Sequence, residues 1–376
     1  MSKVLCIDIT GSKSGGGKTF IYEIFKSLED LLPEFNKIII WSDWDVGEEF
    51  ISNKNIIIKK LPWIFNNRYL IFFWQNFFID FFLLKNSCNV FFTMNSIYLG
   101  FFKPFIVIHQ NSLPFTNEAI EYYNNTYFYY KLKVQKFFMM KTYFNSDTTI
   151  FLTLKAKDLV FLSKDKCQIK YSIIPLGLSS KFERSPDKNI KLFKKYNNQN
   201  DINILYVSSI HYYKNHKSLF KAIEILIKEY PNMKLILIGD KIKYIYEDVF
   251  KNLNIRTKNN IKHIEKIEYD KIYKYYHNAD FFVFPSSCET LPLGLLEAMK
   301  SSVPIVISRY LSDFYITPKN TLLVDPKDPE DLSNKIKILI EDINLRVDNV
   351  NKSYILSKQY NWEVTAKKIF NILKKT

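Results

Sequence analysis

The sequence predicts an α/β protein made of two doubly wound parallel sheets, and three observations indicate this class. Short continuous apolar runs alternate with segments of helical periodicity along most of the chain, as expected of strands that are buried on both faces. A polar stretch rich in Lys and Asn, residues 181–200, separates two such alternations. The chain has 376 residues, which is too long for one hydrophobic core and about right for two domains. We therefore predict a first domain at 1–180, a linker at 181–200 and a second domain at 201–358.

The first domain opens with a strand, a glycine loop and a helix, at residues 4–7, 11–17 and 20–32. This order is the opening unit of a doubly wound sheet. Apolar runs predict further strands at residues 38–41, 56–58, 90–92, 105–108, 150–152 and 173–174.

The second domain repeats the alternation of strand and helix, which favours a parallel sheet with right-handed crossovers. Its predicted strands are residues 204–207, 235–238, 261–264, 281–284, 305–307 and 322–324. Its predicted helices are residues 217–230, 270–278, 295–300 and 329–341.

Composition limits the class of protein. Hydrophobic residues make up 47% and charged residues 24% of the chain, which is a globular rather than a disordered profile. The four cysteines form no C-x-x-C pair and therefore indicate neither a zinc site nor a redox motif; they are Cys6, Cys88, Cys167 and Cys288. Sparse cysteine usage and an amino terminus that reads as a strand, not a signal peptide, predict a cytoplasmic protein.

The net charge of +15 is compatible with three kinds of binding partner: nucleic acid, an anionic membrane surface or a phosphorylated substrate. Residues 68–181 carry 13 Lys/Arg against 6 Asp/Glu, whereas residues 1–67 carry 8 against 9. The basic region contains two aromatic stretches, 68–85 and 122–144, and the second includes Lys131, Lys133, Lys136 and Lys141. This pattern predicts a peripheral contact with the inner face of the cell membrane. The alternative is a buried helix beside a solvated basic face. No zinc-finger, RRM or KH pattern is present, so we expect no nucleic-acid partner.

The most specific motif spans residues 285–299, directly after a predicted buried strand and at the start of a helix. Glu289 falls in the loop at the carboxyl end of the strand, where open α/β sheets bind ligands. Glu297 is predicted in the first turn of the helix, near free backbone N–H groups that suit an anion. One loop would then hold a diphosphate between two carboxylates. The alternative is a solvated Glu289 and a Glu297 that only favours the helix dipole.

This motif resembles the Glu-x(7)-Glu signature of the retaining glycosyltransferases of family 4. Glu289, residues 296–299 and residues 303–306 are in register with the family pattern, whereas Thr290 and Pro292 replace its glycines. The resemblance implies the GT-B fold, in which two Rossmann-like domains face each other across a cleft. It implies that Glu289 contacts the transferred sugar, that Glu297 contacts the ribose, and that Leu293 and Gly294 meet the diphosphate.

The resemblance extends along most of the chain. Residues 207–215 resemble the first loop of the family's second domain, where Lys214 matches a lysine that binds the donor diphosphate. Ser209 stands at the position of the family's arginine, and we expect it at the same diphosphate. Residues 174–177 resemble the end of the first domain. A carboxyl-terminal helix at 359–376 is expected to pack back on that domain.

Two candidate site segments lie in the first domain. Gly16 and Gly17 belong to a loop that resembles the family's glycine loop, which faces the diphosphate and lets backbone N–H groups approach phosphate oxygens. The rival interpretation is a P-loop, since Gly17, Lys18 and Thr19 match the last three residues of the P-loop motif, but Ser12 replaces the required first glycine.

His109 follows a buried strand and resembles a cleft histidine near the donor sugar, so it is a candidate catalytic residue. The alternative is a structural histidine.

Together these features predict a hexosyltransferase-type enzyme that moves a sugar from a nucleoside diphosphate sugar to a hydroxyl of a glycan or lipid-linked glycan. The resemblance implies retention at the anomeric carbon, no metal or other cofactor, and a role in surface polysaccharide synthesis such as O-antigen, lipopolysaccharide or capsule. Two alternatives stay open: a non-catalytic partner in a polysaccharide-assembly complex, and an epimerase or hydrolase on the same fold.

Overall fold

The computed structural model describes residues 3–13, 15–47, 53–62, 65, 67–162, 169–314 and 322–376. It divides into two compact units. The first consists of Met1–Gly177 with Asn361–Thr376, and the second of Leu178–Tyr360. Cys167 lies outside the described residues. Within the described ranges, no helix is both long and apolar enough to cross a membrane.

The first unit contains a sheet of seven strands. In chain order they are β1 Val4–Asp8, β2 Lys37–Ser42, β3 Ile56–Lys60, β4 Val90–Thr93, β5 Phe105–His109, β6 Thr148–Phe151 and β7 Tyr171–Ile173. Their spatial order is β3-β2-β1-β4-β5-β6-β7, and every neighbouring pair is parallel. The strand order reverses between β1 and β4, which is where doubly wound sheets bind ligands.

The second unit contains a sheet of six strands. They are β8 Ile202–Val207, β9 Met233–Ile238, β10 Ile261–Ile264, β11 Phe281–Phe284, β12 Ile305–Ser308 and β13 Leu322–Val324. The order β10-β9-β8-β11-β12-β13 is again wholly parallel. The prediction of two doubly wound parallel sheets is therefore confirmed. The switch point of this second sheet lies between β8 and β11.

Fourteen α-helices lie within the described residues. They are α1 Gly15–Phe25, α2 Arg68–Phe73, α3 Ile79–Lys85, α4 Asn117–Ile120, α5 Tyr127–Asn145, α6 Leu154–Phe161, α7 His216–Leu226, α8 Lys243–Lys251, α9 Ile255–Asn259, α10 Tyr269–Asn278, α11 Leu293–Lys300, α12 Pro329–Glu341, α13 Ile343–Ser357 and α14 Trp362–Lys375. A π-helical turn, Trp74–Phe78, joins α2 to α3.

Helices cover both faces of the first sheet. Apolar side chains of α3, α5 and α6 share one core cluster with the strands. On the opposite face α1 packs against α14, and Phe20 meets Trp362 edge to face with ring centroids 6.2 Å apart. The carboxyl-terminal helix thus belongs to the first unit.

The stretch 181–200 is not a free linker, and that prediction is wrong. It belongs to the second unit and contains short 3-10 turns. Arg184 donates to the carbonyl oxygens of His277 at 2.7 Å and Ser301 at 2.9 Å, and Asn189 donates to that of Ser302 at 2.6 Å. The polar composition that suggested a linker instead satisfies the backbone at the ends of α10 and α11.

The first helix is displaced from its predicted range of 20–32. It begins at Gly15 and ends at Phe25, and a 3-10 turn follows at Leu28–Leu31. The glycines that predicted a loop form the first turn, because Gly15 enters the helix at a φ of 59°, which glycine adopts without steric cost.

Candidate functional site

The site in the second unit forms where two loops meet at the switch point. Because β8 and β11 are parallel neighbours, the loops that follow them, 208–215 and 285–292, leave the sheet at the same edge. The amide of Ser287 donates to the carbonyl oxygen of Tyr213 at 2.8 Å. The two loops are therefore bonded to each other.

Asn215 fixes this junction. Its side-chain amide donates to the carbonyl oxygen of Pro285 and to Oγ of Ser287, both at 2.8 Å. Its backbone is left-handed, with φ 56° and ψ 34°, a conformation that asparagine tolerates better than most residues. Sequence reasoning gave Asn215 no role, although an asparagine at a turn from strand to helix was the available signal.

Lys214 and Glu289 form an ion pair inside this junction. Their side chains are only 11% and 13% exposed. Burial alone would lower the pKa of Lys214, but the Glu289 carboxylate outweighs it, so the pKa lies above its ordinary value. The ammonium group also lies 5.2 Å from the centroid of the Tyr213 ring. The structure thus holds a permanent cation and a carboxylate together at the carboxyl edge of the sheet.

Glu297 lies deeper than the sequence predicted. It is the fifth residue of α11, which begins at Leu293, and therefore not in the first turn. The side chain is buried, and the Tyr276 hydroxyl donates to its Oε2 at 2.7 Å. Burial raises the pKa of Glu297 to about 7. Tyr276 is a site residue that sequence reasoning missed, since nothing in its local sequence indicates that α10 faces α11.

The start of α11 lies against the end of β8. A Cβ atom on Gly294 would stand 3.3 Å from both the Tyr276 hydroxyl and the Val207 carbonyl oxygen. Leu293 and Gly294 are both half-buried, as is Ser209 in the facing loop. The amino terminus of α11 and the loop after β8 are therefore close enough to share one anionic ligand.

Gly239 is a third residue that sequence reasoning did not assign to the site, after Asn215 and Tyr276. It follows β9 with a φ of 149°, and a Cβ atom there would lie 2.4 Å from the Ser208 carbonyl oxygen. Only glycine allows this approach. It sets the path of the loop that carries Ser209.

His109 is not available to a substrate, which corrects its interpretation as a catalytic residue. Its side chain is fully buried. Nδ1 lies 2.7 Å from the Tyr143 hydroxyl and Nε2 lies 3.0 Å from Oγ of Ser112. Burial lowers the pKa of His109 to about 3. Its place at the end of a strand was correctly identified, but the ring points into the core beside Phe151.

In the first unit, Gly16 and Gly17 lie in the first turn of α1, directly beyond β1. Gly16 is exposed, and the open backbone there suits an anion. The P-loop alternative fits poorly, because Nζ of Lys18 lies over the rings of Tyr22 and Trp44, at 5.3 and 5.4 Å.

Asp8 is the last residue of β1, and sequence analysis gave it no role. It is buried and accepts hydrogen bonds from the Thr10 hydroxyl at 2.6 Å and the Asn95 amide at 2.7 Å. Burial raises the pKa of Asp8 to about 6. This carboxyl orders the loop that leads to α1.

Most of the second unit matches the model of a known protein family. Residues 187–356 match the family Glycosyl transferases group 1. A segment of 178 residues is 29% identical to an uncharacterized glycosyltransferase of Methanocaldococcus jannaschii and covers 46% of this chain and 44% of that protein. A segment of 193 residues is 27% identical to the O-antigen chain mannosyltransferase B of Escherichia coli, with 51% and 50% covered. The matches thus span half or less of each relative's length.

Solved structures show the fold of the whole chain. Sucrose-phosphate synthase of Thermosynechococcus elongatus superimposes with a TM-score of 0.78 at 16% identity, over 99% of this chain and 98% of that one. The Anabaena protein HepE, solved in complex with UDP-glucose, superimposes with a TM-score of 0.71 at 15% identity over 100% of both chains. Residues 187–356 thus match the glycosyl transferases group 1 model, and the two parallel sheets of this chain have the GT-B fold.

Proposed function

We propose that this protein transfers a sugar from a nucleoside diphosphate sugar to a hydroxyl of a glycan or a lipid-linked glycan. The observation that carries the proposal is the ion pair of Lys214 and Glu289 at the switch point of a group 1 domain. A buried cation with a carboxylate beside it suits a ligand that joins an anionic diphosphate to a polyhydroxyl sugar.

Donor binding would exchange the partners of this pair. The diphosphate takes over Lys214 and meets the amino terminus of α11 at Leu293 and Gly294, with Ser209 on the facing loop. Glu289, released from the ammonium group, then accepts hydrogen bonds from sugar hydroxyls. Glu297 receives the ribose hydroxyls once the donor displaces the Tyr276 hydroxyl from it.

In the proposed reaction the bond from the anomeric carbon to the diphosphate breaks, and the acceptor oxygen bonds to that carbon. The acceptor proton passes to the departing diphosphate. Lys214 and the helix amino terminus stabilise the charge that develops on the leaving group. We propose that transfer retains the anomeric configuration. We also propose that it requires no metal ion, because Lys214 and the helix amino terminus supply the positive charge.

Similar proteins of known activity support a role in surface polysaccharide or glycolipid synthesis, which we propose takes place at the cytoplasmic side of the membrane. One relative is an O-antigen chain mannosyltransferase. Another, 31% identical over 150 residues, is the alpha-monoglucosyldiacylglycerol synthase of Streptococcus pneumoniae, with 39% of this chain and 34% of that protein covered. One structural neighbour, HepE, has been solved with UDP and with UDP-glucose, so a UDP-sugar is the first donor to test.

A thermal-shift screen with UDP-, GDP-, ADP-, dTDP- and CMP-sugars tests the donor site. A ligand at about 100 times its dissociation constant should stabilise the fold by roughly 2.7 kcal/mol. We expect one diphosphate sugar to raise the melting temperature of the wild type. The control variant Lys221→Met, which changes an exposed lysine of α7, should respond in the same way. The same sugar should raise the melting temperature of Lys214→Met by much less.

Transfer is then tested with that donor and a panel of glycan acceptors. Product that depends on the acceptor supports the transferase, whereas release of free sugar without acceptor would indicate the hydrolase. If no nucleotide sugar shifts the wild type, the proposal fails and the non-catalytic partner gains support.

A further inference from the structure

Two helical segments of the first unit expose an unusual number of large apolar side chains. On α2, the π turn and α3, Leu70, Phe73, Phe77, Phe81 and Leu84 are between 39% and 64% exposed. On α5 the exposed side chains are Tyr127, Tyr130, Val134 and Phe137, at 56% or more. We call these nine residues, with Phe101, the aromatic face.

The spacing shows that these residues form stripes. Successive members on each segment are three or four positions apart, so they lie on one side of the helix. The opposite sides are in the core, through Trp74, Ile79 and Leu83 on the first segment and Met139 and Tyr143 on the second. The stripes are therefore the outer surfaces of helices whose inner surfaces are already satisfied.

One loop holds the two segments side by side. The Tyr98 hydroxyl donates to Asp80 of α3, and the Tyr98 amide donates to Oγ1 of Thr142 on α5 at 2.9 Å. The amide of Phe101 donates to the other carboxylate oxygen of Asp80 at 2.7 Å. Phe101 itself is 75% exposed. These contacts place both stripes and Phe101 on the same side of the unit.

The aromatic face is also basic. α5 carries Lys131, Lys133, Lys136 and Lys141 and no acidic residue, and Lys133 and Lys141 are exposed. Ten large exposed apolar side chains on one side of a unit are more than a surface without a partner usually carries, and they mark an interaction site. Apolar rings interleaved with lysines match the boundary between headgroups and acyl chains of an anionic bilayer. A second copy of the chain is a poorer partner, because it would bring four more lysines against these four.

We propose that the aromatic face docks the protein on an anionic bilayer surface, with the aromatic rings in the headgroup region and the α5 lysines on anionic headgroups. This inference rests on the first unit alone and does not depend on the proposed transfer reaction. Docking in this way would bring the protein to the bilayer in which a lipid-linked acceptor is anchored.

Sedimentation with vesicles tests the proposal on the full chain. The wild type should bind vesicles of phosphatidylcholine mixed with phosphatidylglycerol and should not bind phosphatidylcholine alone, and high salt should weaken the binding. Phe77→Ser with Phe137→Ser should lower the partition coefficient about tenfold or more. Lys133→Glu with Lys141→Glu should do the same through charge.

Two matched variants control for composition. Lys367→Glu with Lys368→Glu makes the same charge change on exposed positions of α14, and Ile255→Ser with Ile355→Ser removes exposed apolar groups from the second unit. Both should bind like the wild type. The proposal is overturned if the wild type ignores anionic vesicles, or if the controls lose binding as much as the test variants. It also fails if analytical ultracentrifugation shows a dimer that Phe77→Ser with Phe137→Ser dissociates.

Discussion

Lys214 and Glu289 are 75 positions apart in the sequence, yet they form the buried ion pair at the centre of the candidate site. Separating such a pair is costly because each charge has lost most of its water. A donor that supplies phosphate oxygens to Lys214 and hydroxyls to Glu289 replaces both interactions at once. Without the donor, each of the two side chains therefore occupies the place that the proposed ligand would take on the other.

Glu297 makes the stability of the protein depend on pH. Its pKa is raised by burial from 4.5 to about 7 in the folded state, so between these values the folded chain holds a proton that the unfolded chain has released. This contribution to stability is complete below pH 4.5 and is lost as the pH rises through 7. The loss is on the order of 3 kcal/mol.

Glu297→Gln should remove this pH dependence, because glutamine has no proton to lose. Urea unfolding between pH 4 and 8 should show the free energy of unfolding of the variant gaining on that of the wild type as the pH rises. Glu363→Gln, an exposed position on α14, serves as the control and should follow the wild type throughout. Parallel curves for Glu297→Gln and the wild type would rule out a buried, protonated Glu297.

The roles of single residues could be predicted only where the local order of the sequence decides them. Lys214 was predicted from the family resemblance of residues 207–215, and Glu289 because it follows a buried strand at the carboxyl edge of a sheet. The same rule placed His109 at the end of β5 but could not show that its ring turns toward Tyr143 and Ser112. Tyr276 could not be assigned because its contact with Glu297 crosses from one helix to another.

At the scale of elements, the strands of the second sheet were the most predictable. Ile261–Ile264, Phe281–Phe284 and Leu322–Val324 have the bounds that their apolar runs indicate. The helix Pro329–Glu341 also has its predicted bounds, because Asp328 caps it and proline stands at its first position. Boundaries failed where backbone geometry decided, as at Gly15, and where side chains bond to distant backbone, as at Arg184.

Gly177 allows α14 to dock on the first unit. A Cβ atom at Gly177 would lie 2.2 Å from the backbone nitrogen of Trp362, at the start of that helix. No rearrangement of a flexible side chain relieves a contact with backbone, so Gly177→Ala must displace the helix. We expect a loss of about 2 kcal/mol or more.

Gly17→Ala is the matched control in the same unit. Its Cβ atom would meet neighbours only at 3.5 Å or beyond, and alanine favours a helix over glycine by up to about 1 kcal/mol. Urea unfolding should therefore separate the two variants in opposite directions. Equal stability of Gly177→Ala and the wild type would contradict the close packing of α14 at this point.

At the scale of the whole molecule, the two sheets have different surfaces. The second unit carries the family match and the ion pair, whereas the first carries the aromatic face. The two-sheet architecture could be predicted because alternation of strand and helix is a local property repeated along the chain. The exposure of the aromatic face could not, since the residues of 68–85 fit a buried helix equally well until their partners are known.

The central claim is that Lys214 holds the diphosphate and Glu289 the sugar of one donor. Calorimetric titration of the wild type, Lys214→Met and Glu289→Gln with a nucleoside diphosphate and with its sugar tests this most directly. We expect Lys214→Met to weaken both ligands by about tenfold or more. Glu289→Gln should bind the free diphosphate at least as well as the wild type and should lose the added affinity that the sugar confers. Equal losses for both ligands in both variants would contradict the assignment, as would wild-type affinities in Lys214→Met.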